Sequence, residues 1–409
     1  MKRFQAGFLV LLVALTGVIA PAQSKLTLGQ NGGGEIQAIL QKAVQQGIVP
    51  GVVAVVASKD TILYQGAFGM MDVAKQKPMT KEAIFRIASM TKPVTSVAVM
   101  MLVEEGKLKL DDAVSQYLEG FKGREKIATF NPTDAAYTTK PAKEVLIHHL
   151  LTNTSGLAYT FSNDTVNRLQ QKTGKPAEEL PLLYEPGTKW TYSGSTKVLG
   201  QVVEKITGTT LDKFVDERIF KPLGLQDTSY VVPPSKMDRL VTIQRRQNGK
   251  LTETANPEKL ESPVAGDGGL NSTAADYIKF LQMFLNDGKA QGATLLRKAT
   301  IQTMTKNQIG DVIVQTQPTT NPALSQAFPI GAGRDKFGFG FQITTSNSDN
   351  PNLRSPGSYT WAGIYNTHFW VDPKRQIAAV IMMQVLPFYD DGCMKLYQDV
   401  EAAIGRNLR

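Results

Sequence analysis

The chain has 409 residues, a formal net charge of +9, 42% hydrophobic side chains and one cysteine. That length can bury a large core without staples, and the single thiol, Cys393, can form no internal disulfide and is read as a packing residue near the C-terminus. The basic residues are scattered among acids, which favours a solvated surface over a nucleic-acid stripe.

Lys2 and Arg3, the apolar run Gly7 to Ala20 and the small residues Ala20-Pro21-Ala22 fit the three zones of a secretory signal, with cleavage expected after Ala22. No cysteine lies near that point to carry a lipid, and no later run reaches the length of a membrane span. The expectation is an exported protein, periplasmic or secreted, with a signal peptide over 1–22. Glu35 to Gln46 then places Ile36, Ile39, Leu40, Ala43 and Val44 on one helical face and stops at Gly47. Strand-like runs Val52 to Ala57 and Ile62 to Phe68 follow, joined at Lys59-Asp60. From Ile87 to about Ile301 the pattern is helical: Val97 to Glu105, Val145 to Leu151, Val198 to Thr207, Leu211 to Ile219 and Ala274 to Asn286.

Strand signals return at Gly338 to Thr344, His368 to Val371 and Ile377 to Gln384, and a helix from about Cys393 to Ile404 closes the chain. This order predicts an α/β lobe made of residues 23–86 and 336–409, with a mainly helical lobe, 87–335, inserted. Lys122 to Lys143 and Asn307 to Lys336 show no clear period and are read as rims or lids over a site.

Ser89-x-x-Lys92 is the one such pair in the chain. Pro93 lacks an N–H and clashes in a helix interior, so the helix should begin near Ser89. Free N–H groups there favour a developing oxyanion, and Lys92, three residues on, reaches the same face. Val94 and Val97 to Val103 are apolar nearly all round, as expected of a buried helix with a partly desolvated lysine at its mouth. A capping serine and a snorkelling lysine would suit an amphipathic helix instead.

Phe85-Arg86-Ile87-Ala88-Ser89-Met90-Thr91-Lys92-Pro93, Leu102-Val103-Glu104-Glu105-Gly106-Lys107-Leu108, His149-Leu150-Leu151-Thr152-Asn153-Thr154-Ser155-Gly156-Leu157 and Gly268-Gly269-Leu270-Asn271-Ser272-Thr273 follow one another in the chain. Together they resemble the serine β-lactamase and penicillin-binding superfamily, above all its class C-like family VIII serine esterases, over about 35–405. Asn153 stands where that group usually has His. The resemblance implies a class C β-lactamase fold, α/β with an antiparallel sheet flanked by helices plus a mainly helical lobe. It also implies catalytic roles for Ser89, Lys92 and Tyr192 of Trp190-Thr191-Tyr192-Ser193-Gly194, Tyr192 taking the Ser89 proton directly or with Lys92.

Gly194 stands where penicillin-recognising members have Asn, and Lys197 where the esterase branch has Asp. Trp361-Ala362-Gly363 matches the esterases' Trp-x-Gly in place of Lys-Thr-Gly. Trp361, Ala362, Gly363 and Gly194 are therefore the expected substrate-binding positions, and the Ser89 and Ile364 N–H groups the expected oxyanion hole. Ser348-Asp349-Asn350 is read as a turn, and His148, His149 and His368 as core or loop residues; there is no Gly-x-Ser-x-Gly elbow and no metal spacing. No cofactor is expected. The favoured function is hydrolysis of a small-molecule ester; a β-lactamase or D-amino-acid peptidase, and then a non-catalytic binder, are the alternatives.

Overall fold

The computed structural model describes residues 26–347 and 350–409. The signal-like segment 1–22, and Ser348 and Asp349 of the Ser-Asp-Asn triplet, lie outside the described residues.

Helix α1 (Gly32–Gln45) buries Ile36, Leu40 and Ala43, the stripe its sequence sets 3.6 residues apart. It leads into β1 (Gly51–Ser58), β2 (Ile62–Asp72) and the short β3 (Lys77–Pro78). The chain then enters α2 (Thr91–Glu104), crosses the middle region through α3 (Ser195–Thr207) and α4 (Ala274–Leu285), and returns as β4 (Lys336–Phe337), β5 (Gln342–Ile343), β6 (Tyr359–Gly363), β7 (Thr367–Asp372) and β8 (Ile377–Met382), ending in α5 (Asp391–Asn407). These strands form one antiparallel sheet in the order β4-β5-β6-β7-β8-β1-β2-β3. Strands from the two ends of the chain meet at its centre, with Val55 opposite Val380.

All eight residues of β1 are buried because both faces of the sheet are covered. Alternation sends Val52, Ala54 and Val56 to the layer shared with α1 and α5, and Val53, Val55 and Ala57 to the larger core against α2 and α4. The sheet and its helices place the mixed α/β architecture as the sequence leads one to expect.

Three local expectations need correction. Gly338 to Thr344 is not one strand: it is two residues of β5 preceded by a kink, because Gly340 has φ +91 and packs where a Cβ would meet Ser96, and a Cβ on Gly338 would lie 2.2 Å from the Met304 carbonyl oxygen. Lys122 to Lys143 is largely an exposed hairpin, Glu125–Phe130 with Tyr137–Pro141. The middle region also holds a hairpin, Ile243–Gln247 with Lys250–Thr254, turning at Asn248 and Gly249, both with positive φ, as a two-residue Asn-Gly turn requires.

Candidate active site

Ser89 does not sit in the first α-helical turn. It lies in a 3-10 turn, Ala88–Met90, directly before α2. The turn is entered through Ala88 at φ +44, a left-handed conformation that costs a non-glycine residue of order 1 kcal/mol and has to be held by its surroundings. The holders are visible. Ile87 N–H donates to the Leu270 carbonyl at 3.0 Å, the Tyr277 hydroxyl donates to the Met90 carbonyl at 2.9 Å, and Gln384 bonds both the N–H and the carbonyl of Arg86. Behind the turn every residue of α2 from Thr91 to Leu102 is buried, the nearly all-apolar helix that the sequence describes.

Lys92 is only 2% exposed. Its Nζ lies 3.5 Å from Ser89 Oγ, at the limit of hydrogen bonding. The Tyr192 hydroxyl is much nearer, donating to Ser89 Oγ at 2.6 Å, and Lys92 Nζ sits 4.8 Å from the centre of the Tyr192 ring. Ser89, Lys92 and Tyr192, 103 residues apart at the extremes, are thus brought together.

The segment carrying Tyr192 is pinned from two sides. Asn153, buried and left-handed at φ +54, accepts with Oδ1 from the Ser193 N–H (3.3 Å) and the Ser193 hydroxyl (3.1 Å), while its carbonyl accepts from Thr191 N–H. Asparagine tolerates this backbone conformation, and its short amide places one oxygen on both Ser193 donors. From the other side, Gln317 Oε1 accepts the Tyr192 N–H at 3.1 Å and Phe328 packs on its ring, so the irregular 307–336 segment does border the site. Gly194 follows as the residue capping α3, where a Cβ would have Asp267 and Tyr159 3.7 Å away. Lys197 is occupied by an ion pair with Glu178.

The third wall is β6. Trp361 packs 5.0 Å from the Tyr192 ring and 6.4 Å from Trp190. A Cβ on Gly363 would lie 2.3 Å from the Ile87 carbonyl oxygen, so glycine is what lets this strand close on the Ser89 turn. Ser89, Tyr159, Phe161, Tyr192, Trp361, Ala362, Ile364 and Phe388 enclose about 520 Å³ of empty space, part of it open to solvent, and no side chain in this wall is acidic or basic.

Sequence reasoning passed over Tyr159 and Asp267. The Tyr159 hydroxyl lies 2.8 Å from Lys92 Nζ and donates to the Asp267 carboxylate, and the Asp267 carbonyl accepts from Lys92 at 2.9 Å. Asp267 adjoins the Gly268 block and Tyr159 follows the Gly156-Leu157 block, so proximity to recognisable segments was the one available signal. The histidines take no part here: His149 Nδ1 accepts the Leu146 N–H, and His368 is stacked on Tyr397. Among the described residues no group of three or more His, Cys, Asp or Glu is placed to hold a metal ion, and no helix is long and apolar enough to cross a membrane.

A family model described as Beta-lactamase matches residues 36–404. The chain is 31% identical to protein Rv1367c of Mycobacterium tuberculosis, over 91% of this chain and 93% of that one. It is 27% identical to the lovastatin esterase of Penicillium rubens, over 86% and 93%. A solved variant of simvastatin synthase from Aspergillus terreus superposes with a TM-score of 0.78 over 92% of this chain and 98% of that one, at 24% identity, a likeness of fold. A model spanning nearly the whole chain, on a sheet that sets a serine, a lysine and a tyrosine against one pocket, leaves one conclusion: the chain belongs to the Beta-lactamase family of serine hydrolases.

Proposed function

We propose that this protein is an exported serine esterase that cleaves carboxylic esters through an acyl-enzyme on Ser89. The observation that carries the reading is the 2.6 Å contact between the Tyr192 hydroxyl and Ser89 Oγ beside Lys92, at the edge of an aromatic pocket without charged walls. Tyr192 acts as base once its own phenol proton, which points at Ser89 Oγ in the resting arrangement, has been given up to solvent: Ser89 Oγ then attacks the ester carbonyl while its proton passes to the Tyr192 oxygen, with Lys92 as the neighbouring cation. The carbonyl oxygen, now negative, accepts from the N–H groups of Ser89 and Ile364. Tyr192 returns the proton to the departing alcohol, and water releases the acid by the same steps in reverse.

Substrate choice follows from the walls. Gly194 offers no side chain to hold a lactam's amide, and Trp361 presents an apolar surface where a cation would hold a carboxylate. An ester with uncharged acyl and alcohol groups suits this lining. The esterase among the relatives is in keeping with that reading. Export rests on the charged, apolar and small-residue zones of residues 1–22.

The test is hydrolysis of short-chain nitrophenyl esters measured beside a chromogenic cephalosporin. Ester turnover should dominate; lactam turnover well above it would overturn the substrate assignment. Ser89→Ala should lower kcat by at least about 10³-fold and Tyr192→Phe by roughly 10²- to 10⁴-fold, each with an unchanged melting temperature. An active Ser89→Ala enzyme would remove the acyl-enzyme altogether. Amino-terminal sequencing of the protein recovered outside the cytoplasm should begin at Gln23.

A further inference from the structure

The surroundings of Lys92 are more elaborate than a serine–lysine pair needs. Two acceptors, the Tyr159 hydroxyl at 2.8 Å and the Asp267 carbonyl at 2.9 Å, are closer to Nζ than Ser89 Oγ is at 3.5 Å. The direction of the Tyr159 bond is fixed by chemistry. A carboxylate can only accept, so the phenol proton points at Asp267 and the oxygen lone pairs are left for Lys92. Burial first, and then the Asp267 charge, holds the Tyr159 phenol far above its ordinary value, so it keeps that proton.

The ring is fixed as firmly as the hydroxyl. It stacks on Phe161 at 5.2 Å and lies 5.0 Å from the Tyr192 ring. Gly194 stands beside both groups: a Cβ there would be in ordinary van der Waals contact with Tyr159 and the Asp267 carboxylate, at 3.7 Å from each. Asp267 is held in turn: Thr95 on α2 donates to the Gly266 carbonyl at 2.7 Å, tying the loop to the helix that carries Lys92. Around this loop Lys92 and Lys197 are the cations, Asp267 and Glu178 the anions, and Tyr192 and Tyr230 the other phenols within reach of their charges.

We propose that Tyr159 and Asp267 are a positioning pair for Lys92: they fix two of its N–H bonds and so direct the remaining bond at Ser89, with the Asp267 carboxylate balancing the Lys92 charge through the phenol. The inference rests on the Ser89-centred reading above. Lys92 then serves as a fixed cation between Ser89 and Tyr192, unable to swing into the pocket. The bonds made and broken in the ester cleavage are unchanged; what the pair supplies is orientation, which rate depends on steeply.

Tyr159→Phe and Asp267→Asn in the full chain test it. The first keeps the stacked ring and removes only the hydroxyl; the second keeps the backbone carbonyl and removes only the charge. Each should lower kcat on nitrophenyl esters by about 10- to 100-fold, with KM changed less than ~3-fold. A residue that merely supported the fold would instead lower the melting temperature and leave the kcat of the folded enzyme unchanged. Ser89→Ala run in parallel keeps the two claims apart. If Ser89→Ala is inactive while Tyr159→Phe and Asp267→Asn keep the wild-type kcat, the positioning pair is overturned alone; if Ser89→Ala is active, both fall.

Discussion

Asn153 shows how much a single side chain contributes to this site. Its amide oxygen takes both donors of Ser193, the residue after Tyr192, and its backbone occupies a left-handed conformation. Asn153→Ala would leave the buried Ser193 donors without their acceptor and put a methyl-bearing residue at φ +54, a combined cost of about 2–4 kcal/mol. Asn153→Gly removes the same acceptor and relieves the backbone, so it should be the less destabilised of the two in urea unfolding. Both should lose kcat, because Tyr192 is no longer held on Ser89, and equal wild-type activity in both would mean that Gln317 and Phe328 suffice to place it. From the sequence, Asn153 is visible only as a departure from a familiar motif. Its partner lies 40 residues away and its φ is set by tertiary packing, neither of which a local pattern encodes. Tyr159 and Asp267 were hidden for the same reason: they meet Lys92 across 67 and 175 residues, and tyrosine and aspartate are too common to stand out. Ser89 and Lys92 could be picked out because their neighbours carry local constraints, above all Pro93 and the apolar run behind it, whereas Tyr192 was reached through the resemblance of Trp190-Thr191-Tyr192-Ser193-Gly194 to a family motif.

At the scale of elements, legibility follows how local the cause is. The stripe of α1 and the alternation in β1 are properties of consecutive residues, and both elements stand where the sequence puts them. Gly340 breaks an otherwise strand-like run because it must pass Ser96 and Pro93 on α2, and nothing within that run announces the contact. The hairpin over 243–254 is the opposite case, since Asn248-Gly249 is a turn signal that was there to be used. The loop ahead of α4, where Gly266 packs against both α2 and α3, offers a sharp comparison of two glycines. A Cβ on Gly266 would lie 2.1 Å from the Thr196 carbonyl oxygen and 3.1 Å from Gly200 N, whereas one on Gly268 meets nothing within 4 Å. Gly266→Ala should therefore destabilise by about 1–3 kcal/mol, read as a lower denaturant midpoint, and should lower kcat by displacing Asp267. Gly268→Ala should leave both within error. Matching behaviour of the two variants would show that the loop is free to move away from α3, contrary to its packing here.

For the whole molecule, burial of titratable groups on both sides of the sheet sets the response to acid. All three histidines have their basicity lowered by burial first of all: His149 down to about 4, with the charge of His148 adding to it, His368 down to about 3, with Arg354 adding to it, and His148 in the same direction. Their ordinary value is 6.5. Below that pH the unfolded chain takes up protons that the folded chain refuses until about pH 4 for His149 and about pH 3 for His368, so the unfolded state binds more protons and stability falls as pH falls. The carboxylates divide: burial raises those of Asp276 and Asp335 above the ordinary 3.8, which favours the fold as pH drops through the raised value, whereas Glu35 and Glu105, lowered mainly by their hydrogen bonds to Arg406 and Lys107, act the other way near 4.5 and below. The histidine contribution should thus pull the melting temperature down as pH falls below about 6.5. His368→Phe can keep the stack between Tyr397 and Phe388 while removing the buried imidazole, whose Nε2 has no hydrogen-bond partner among the described residues. That variant should match or exceed the wild type at pH 7 and lose less stability on acidification, and His149→Gln should flatten the slope further while retaining an acceptor for the Leu146 N–H. If both variants show the wild-type slope, the acid response lies in the surface carboxylates, and the buried histidines are bystanders to it.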